Sequence, residues 1–253
     1  MSRAKTGIQA LDMMLGGGLL RDSITLISGN PGTGKSTLAV QFLLEGISSG
    51  ENGAYISLEE EKHGFYRNML GFGWDLKKLE DEGSIYFESY RAEELLKLIS
   101  DGYQALDHEI RKIHAKRLVI DSISAYLLTC DGELSRRNET KRLFDNIRKW
   151  RLTALLTGES RQADMGYGID YMVDAIIRTH NREDGGHSRR HRRIEIEKMR
   201  GSKHSQEARL MRITDAGMDV TNPEGMAYHD DIKSRIGVSV DCPFKQPGAG
   251  GRQ

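Results

Sequence analysis

The stretch Ile24-Thr-Leu-Ile-Ser-Gly-Asn-Pro-Gly-Thr-Gly-Lys-Ser36 joins an apolar run to a glycine-rich loop. Its last eight residues fit the pattern G-x-x-x-x-G-K-[ST], and a helical pattern follows from Thr37. Glycine lets backbone N–H groups approach phosphate oxygens, and the N-terminus of a helix favours negative charge. An ordinary strand-to-helix turn is the alternative, but the flanking strand and helix patterns favour a nucleotide-binding loop in an α/β fold.

The residues of this loop have separate roles in binding ATP. Lys35 is expected to contact the β and γ phosphates and to act in catalysis, while Ser36 is expected to ligate Mg²⁺. We assign nucleotide contacts to Gly29, Gly32, Thr33, Gly34, Lys35, Ser36 and Thr37.

A carboxylate ends a second apolar run, because Asp121 follows Leu118-Val-Ile120 and precedes Ser122. Such a carboxylate can hold the water shell of Mg²⁺. An Asp after a strand is also common as a helix cap or turn former, so the nearby phosphate loop decides in favour of a metal-site residue.

Three carboxylates follow a third apolar run, 54–58. They lie where open α/β sheets bind ligands, at the carboxyl ends of the strands. Glu59 and Glu60 are predicted to be catalytic, because a carboxylate there can polarise a water molecule. For Glu61 we prefer an acidic first helical turn that complements the helix dipole.

Short β-rich runs alternate with longer helical patterns, which predicts buried parallel strands covered by helices on both faces. The strands are expected at 24–28, 54–58, 85–87, 117–121 and 153–157, and the helical patterns include 93–113 and 136–150. From Asp174 the pattern changes to strand, turn and strand, with a turn at 184–186 between 175–177 and 194–197. This second pattern predicts an antiparallel extension of the sheet.

Charge, hydropathy and cysteine content argue against several other classes of protein. The chain has 253 residues, of which 37 are Lys or Arg and 37 are Asp or Glu, so no net charge steers it to polyanions. No apolar run approaches the length of a membrane helix and no signal-peptide pattern begins the chain, so we expect a cytoplasmic protein. Cys130 and Cys242 have no companions at ligand spacing, and the eight histidines suggest no structural metal.

The last part of the chain has a different composition. After Val220 it is rich in Pro, Gly and mixed polar residues, which bury too little apolar surface to order themselves. We therefore expect one ATPase domain at 1–222 and a flexible C-terminal tail at 223–253.

Several motifs together resemble the KaiC family of RecA-like P-loop ATPases, and the similarity extends from Thr6 to about Val220. Besides the phosphate loop and the Glu pair, they are Gly7-Ile-Gln-Ala-Leu-Asp12, Gly16-Gly-Gly18, Gly71-Phe-Gly-Trp-Asp75, Ile120-Asp-Ser122 and Lys198-Met-Arg-Gly-Ser-Lys-His204. The resemblance implies a RecA-like fold with a mostly parallel central sheet. It also implies slow, Mg²⁺-dependent ATP hydrolysis in a homo-oligomer, a hexameric ring, with a regulatory or signalling role.

The resemblance also assigns residues to the nucleotide site. In the family the Lys-x-Arg-Gly segment reaches the nucleotide of a neighbouring subunit, which would give trans contacts to Lys198, Met199, Arg200, Ser202 and His204. Gly71, Thr214 and Asp215 match other nucleotide contacts, and Glu59 and Glu60 match the family's catalytic carboxylates. Without the resemblance, Lys198 and Arg200 would be interpreted as the solvated face of an edge strand.

The sequence departs from the clock protein that gives the family its name. That protein carries two such domains in tandem, whereas this chain has room for one. Its second domain is phosphorylated on adjacent Ser and Thr residues, and the positions aligned on Asp174 are Asp170 and Tyr171 here. Ser/Thr autokinase activity is therefore not expected.

Two other functions compete with this interpretation. A recombinase-like ATPase would bind DNA through loops 129–138 and 161–168 and the basic run Arg189-Arg-His-Arg-Arg193. The zero net charge and the lack of aromatic residues within that run do not favour nucleic acid. In the third class, a nucleotide-gated scaffold would dock a protein partner through the C-terminal tail.

Overall fold

A sheet of nine strands forms the centre of the computed structural model, which describes residues 2–159, 168–183 and 190–221. The strands are β3 (Ile24–Gly29), β4 (Gly53–Ser57), β5 (Ile85–Ser89), β6 (Arg117–Asp121), β7 (Thr153–Gly158), β8 (Ala175–Glu183), β9 (Arg190–Met199), β10 (Arg209–Thr214) and β11 (Gly217–Val220). Their order is β11-β10-β9-β8-β3-β7-β6-β4-β5. The six neighbouring strands from β8 through β3, β7, β6 and β4 to β5 are parallel. Beyond β8, the strands β9, β10 and β11 extend the sheet with antiparallel pairing. The predicted fold class is confirmed.

Helices cover both faces of the sheet. They are α1 (Gln9–Met14), α2 (Lys35–Ser48), α3 (Lys62–Leu70), α4 (Leu76–Asp81), α5 (Ala92–Ser100), α6 (Gln104–Lys112), α7 (Ile123–Leu128), α8 (Gly132–Trp150) and α9 (Ile169–Met172). Residues of α1 to α4 pack in one apolar cluster and those of α5 to α9 in the other. Two short strands, β1 (Arg3–Ala4) and β2 (Leu19–Leu20), pair beside the main sheet.

The central strands are buried throughout because both of their faces are covered. Every residue of β3, β4, β6 and β7 is buried, so these strands show continuous apolar runs rather than alternation. Ile27 contributes to one cluster and Leu26 to the other. The predicted strands therefore occur where their apolar runs indicated.

The helical pattern over 93–113 forms two helices rather than one. Gly102 and Tyr103 have φ angles of 79° and 61°, which end α5 and start α6 in a new direction. This turn buries Tyr103 with its ring edge-on to Trp150, 5.5 Å away between ring centroids. Both helices can then cover the same face of the sheet. The helix predicted over 136–150 begins four residues earlier, at Gly132.

Some predictions concern segments outside the described residues. These are the turn at 184–186, loop 161–168 apart from Gly168, His187, Arg189, the whole tail 223–253 and Cys242 within it. Within the described ranges, none of the helices has the length and apolar character needed to cross a membrane.

Candidate functional site

The phosphate loop lies between the end of β3 and the start of α2, and strand β8 packs closely against it. A Cβ atom on Gly29 would lie 2.0 Å from Oγ1 of Thr179, so only glycine fits here. Thr179 donates a hydrogen bond from Oγ1 to Oγ1 of Thr33 at 2.8 Å, and the Thr33 hydroxyl donates to the Asn30 carbonyl at 2.9 Å. Buried threonines thus fix the loop from inside.

The hairpin of β10 and β11 supports the loop from the side of α2. Gln41 binds the backbone of Met218 twice, donating to its carbonyl at 3.1 Å and accepting from its N–H at 2.7 Å. Gly34 has φ of 92°, and a Cβ there would lie 2.7 Å from Cε of Met218. Thr214 ends β10 and Asp215 begins the turn to β11. A Cβ on Gly34 would lie 3.0 Å from Cδ1 of Ile213, the residue before Thr214, so these two predicted contacts lie near the loop of their own chain.

Lys35 begins α2, and its ammonium group folds back onto the loop. Its Nζ donates to the carbonyls of Gly29 at 2.8 Å and Asn30 at 3.2 Å. Burial lowers the pKa of Lys35, and the nearby charges of Asp121, Glu159 and Glu59 oppose that shift. The lysine therefore lies among carboxylates at the carboxyl edge of the sheet, where a phosphate group could replace the loop carbonyls as its partner.

Asp121 ends β6 and is held by hydroxyl groups on both of its oxygens. Tyr55, on the adjacent strand β4, donates to Oδ2 at 2.5 Å, and Thr157 of β7 donates to Oδ1. Burial, followed by the charge of Asp121, raises the pKa of Tyr55 well above its usual value, so the phenol stays protonated as a donor. Tyr55 and Thr157 thus hold in place the carboxylate that is predicted to bind Mg²⁺.

The acidic residues after β4 have different surroundings. Glu59 accepts a hydrogen bond at Oε1 from the hydroxyl of Ser122, the residue that follows Asp121. Glu60 instead accepts from Asn68 of α3 at 3.2 Å. Glu61 is the N-cap residue of α3, although its side chain makes no capping bond and accepts from Ser89 at 3.4 Å. Glu59 is therefore the one of the three that contacts the end of β6.

Three residues of the site were not among the sequence predictions. Glu159 follows β7 directly. A carboxylate that follows a parallel strand lies at the ligand-binding edge of the sheet, and this rule applies to Glu159 as it does to Glu59. Tyr55 has no signal in the sequence, because a tyrosine inside an apolar strand is ordinary core. Arg192 donates from Nε to the carbonyl of Gly32 at 3.1 Å. The sequence does not predict this contact, because it depends on the register of β9 against β8.

The segment Lys198-Met-Arg-Gly-Ser-Lys-His204 lies at the opposite edge of the sheet from the phosphate loop. Met199 is level with Ala175 of β8, which is level with Thr25 at the start of β3. Gly29 is four residues further along β3, about 13 Å at the usual rise of a strand. Lys198 and Arg200 therefore lie far from the loop of their own chain.

A register shift in β9 decides the direction of this segment. Ile194 and Ile196 face the core, so unbroken alternation would also send Lys198 inward. The shift opposite Ile176 and Ile177 places Met199 in the core instead. Lys198 and Arg200 consequently face the other side of the strand, next to α9.

Lys198 and Arg200 bind carbonyl groups at the end of α9. Lys198 Nζ donates to Asp170 at 2.6 Å and Val173 at 2.8 Å, while Arg200 donates to Tyr171. Burial lowers the pKa of Lys198, and the neighbouring positive charge of Arg200 lowers it further. An anion placed between the two side chains would remove this repulsion.

The other residues that the resemblance suggested are also placed. Ser202 accepts a hydrogen bond from Arg3, and His204 is half-buried with Nδ1 3.0 Å from the carbonyl of Ser205. Met199 packs in the core, which leaves its backbone for a ligand. Gly71 is exposed at the end of α3, one turn beyond the Asn68 that binds Glu60.

The oxygen groups at the carboxyl edge suit a hydrated Mg²⁺ ion. The ion prefers oxygen ligands, retains several waters and is held by few protein groups. Ser36 supplies a hydroxyl, and Asp121 supplies a buried carboxylate that the Tyr55 hydroxyl holds in place. The chemistry of this donor set fits Mg²⁺ bound with nucleotide phosphates, and the N–H groups in the first turn of α2 fit the phosphates themselves.

Comparisons with known proteins agree with this geometry. A family described as "ATPase: KaiC" matches residues 4–225. A protein of Pyrococcus furiosus described as a UPF0273 protein is 34% identical, over 86% of this chain and 93% of the relative. The circadian clock oscillator protein KaiC of Synechococcus elongatus is 31% identical, over 94% of this chain but 48% of that protein. The crystal structure of a KaiC-like protein from Pyrococcus horikoshii matches with a TM-score of 0.78 and 31% identity, covering 87% of this chain and 99% of that one.

Proposed function

The chain belongs to the KaiC family of ATPases, and on that premise we propose that it hydrolyses Mg-ATP slowly in a ring whose sites lie between subunits. The observation that carries the proposal is the separation of Lys198 and Arg200 from the phosphate loop of their own chain. Cations at opposite edges of one subunit can act on one nucleotide only if a second copy supplies one set. A head-to-tail contact that repeats with a closing rotation gives such a ring, which we propose is a hexamer.

In the proposed reaction a water molecule attacks the γ phosphorus of ATP, giving ADP and phosphate. Glu59 accepts the proton of the water, and the Ser122 hydroxyl holds the Glu59 carboxylate in place. Lys35 leaves the loop carbonyls and binds the β and γ phosphates. When bound, Mg²⁺ supplies charge neutralisation at these phosphates, and Ser36 and Asp121 are the residues that would hold it.

Lys198 and Arg200 of the neighbouring subunit offset the charge that develops on the phosphate oxygens. Their present surroundings support this role. The two cations lie close enough for Arg200 to lower the pKa of Lys198, a shift that the charges of Asp174 and Asp170 oppose, and the hydrogen bonds that the two side chains donate go to backbone carbonyls. A phosphate is a stronger partner for both than a carbonyl group.

Mixing inactive subunits tests the shared site. Lys35→Ala removes the loop lysine, whereas Lys198→Ala with Arg200→Ala removes the trans cations. Each variant is expected to be nearly inactive alone. In random rings from equal amounts, about a quarter of the interfaces pair an intact loop with an intact segment, so about a quarter of wild-type turnover should return. No return, with subunit exchange demonstrated by mass, would contradict the shared site.

We propose a regulatory or signalling role for this ATPase, with residues 1–222 as its domain and 223–253 as a tail that can dock a protein partner. The chain is not expected to phosphorylate itself on Ser or Thr, because Asp170 and Tyr171 stand at the acceptor positions. Intact mass after incubation with Mg-ATP measures this directly, and a stoichiometric phosphate near these residues would contradict it.

DNA binding is the alternative function, and the described residues do not favour it. Arg192 of the basic run binds the phosphate loop, and Arg136 donates to the carbonyl of Cys130 at 3.3 Å. ATPase assays with and without single-stranded and double-stranded DNA separate the two functions. Stimulated turnover that falls with salt would favour the recombinase-like alternative.

A further inference from the structure

Arg3 joins the start of the chain to the segment at 198–204. Its Nη1 donates to the carbonyls of Leu15 at 3.1 Å and Gly18 at 2.9 Å, and lies 3.8 Å from Sδ of Met199. Its Nη2 donates to the hydroxyl of Ser202. One guanidinium group therefore contacts the segment on both sides of Arg200.

The same part of the segment lies along the end of α1. The N–H of Ser205 donates to the carbonyl of Met14 at 2.8 Å. Gly16 has φ of 69°, and a Cβ at Gly16 would lie 3.3 Å from the carbonyl of Lys203. The loop after α1 thus provides a close-fitting support, and Arg3 is the charged group that fastens the segment to it.

Fixing Met199 and Ser202 fixes the backbone that carries Arg200. Between them, Gly201 has φ of 66° and turns the chain away from β9. The N–H of Arg200 donates to the carbonyl of Asp174 at 2.8 Å, whereas Ser202 is half-buried and the residues directly after it belong to no strand, so Arg3 holds the turn on the side beyond Arg200. A guanidinium fork suits this task because its planar donors reach several acceptors in one fixed geometry.

We propose that Arg3 is a positioning residue for the ATP site of the neighbouring subunit. It binds the loop after α1 and the segment rather than the phosphate loop, and it orders the backbone that carries Lys198 and Arg200. This inference rests on the proposed shared site. Misplacing a group that acts on the reacting phosphates by about 1 Å can cost on the order of 100-fold in rate.

The alternative is that Arg3 only stabilises the fold of its own subunit. The two explanations differ in which side of the interface fails. A positioning role predicts that an Arg3→Ala subunit no longer supplies a working segment to its neighbour. Its own phosphate loop should still work when a neighbour supplies an intact segment. A general folding role predicts that both sides fail together.

Mixed rings distinguish these sides. Arg3→Ala alone is expected to lose about tenfold or more in turnover, while its loop still binds fluorescent ATP with wild-type affinity. Mixed equally with Lys35→Ala, it should regain about a quarter of wild-type turnover, since its intact loops meet intact segments. Mixed with the Lys198→Ala, Arg200→Ala subunit, it should regain none, because neither partner supplies a working segment.

Two further variants keep the test independent of folding. Arg3→Lys retains the charge but not the planar fork, so it should fold and show the same pattern of rescue with a smaller loss. Arg21→Ala is the matched control, because Arg21 pairs with Glu51 rather than with the segment. Its turnover should stay within about twofold of wild type.

Each outcome has a definite meaning. Failure of Lys35→Ala to rescue Arg3→Ala, equal rescue by both partner subunits, or wild-type turnover of Arg3→Ala alone would each overturn the positioning role. Failure of the Lys35→Ala and Lys198→Ala, Arg200→Ala pair to complement each other, with exchange shown, would overturn the shared site itself and the role of Arg3 with it. The two failures are therefore distinguishable.

Discussion

Replacing Glu59 by Gln should stop ATP hydrolysis without stopping ATP binding. The amide has the size of the carboxylate, and its oxygen can still accept the hydrogen bond from Ser122. It cannot accept a proton from the attacking water at neutral pH. The substitution therefore isolates the proton-accepting role of Glu59 from its contribution to the shape of the site.

The expected magnitude follows from that role. A positioned general base contributes roughly 100-fold to 10,000-fold, which corresponds to about 3–5 kcal/mol at the transition state. Glu61 provides the matched control, because it is the carboxylate of the three that is not predicted to be catalytic, and its side chain accepts from Ser89 at 3.4 Å. Glu61→Gln should change turnover by only about twofold, since surface changes typically stay within about 0.5 kcal/mol.

Phosphate release under single-turnover conditions, together with fluorescent-nucleotide titration, measures both effects. The double variant Glu59→Gln, Glu60→Gln should bind ATP and lose two or more orders of magnitude in turnover, about as much as Glu59→Gln alone. Turnover of Glu59→Gln within tenfold of wild type would refute the assignment. An equal loss from Glu61→Gln would show that the effect does not depend on the position of Glu59.

Three further substitutions test other parts of the structure. Lys35→Ala should abolish productive ATP binding, because the charge-assisted contact to the β and γ phosphates is lost, and nucleotide titration with unchanged affinity would remove the loop assignment. Tyr55→Phe should lower turnover about tenfold or more and raise the Mg²⁺ concentration needed for half-maximal activity, because a buried carboxylate loses a hydroxyl donor; unchanged Mg²⁺ dependence would contradict this. Burial raises the pKa of Asp12 to about 6. Since the unfolded chain titrates near 3.8, the native state binds more protons between these values, and Asp12 should reduce the free energy of unfolding by about 3 kcal/mol as pH rises from 3 to 7. Urea unfolding of Asp12→Asn should lack this fall; the same pH dependence in both proteins would contradict it.

The sequence predicts much of the site because parallel strands end at one edge of a sheet. Gly29, Glu59 and Asp121 each follow an apolar strand, so their proximity in the structure follows from the fold class. Glu159 obeys the same rule, but it is a single carboxylate with no phosphate loop or acidic cluster beside it in the sequence to mark it.

Other features depend on contacts that no local pattern encodes. Tyr55 belongs to the site only because its hydroxyl meets a carboxylate from a strand 66 residues away. The break before α6 depends on the left-handed turn at Gly102 and Tyr103. The direction of Lys198 depends on one register shift in β9, and its distance from the loop depends on the order of strands in the sheet.

The central claim is that ATP is hydrolysed only between subunits, and its most direct test is turnover measured separately for each assembly size. The protein is incubated with Mg-ATP and separated by mass, and each fraction is assayed at once for phosphate release per chain. We expect turnover in the ring fraction and almost none in particles of 28.5 kDa, the mass of one chain. Single chains that hydrolyse ATP at the rate of the rings would contradict the account.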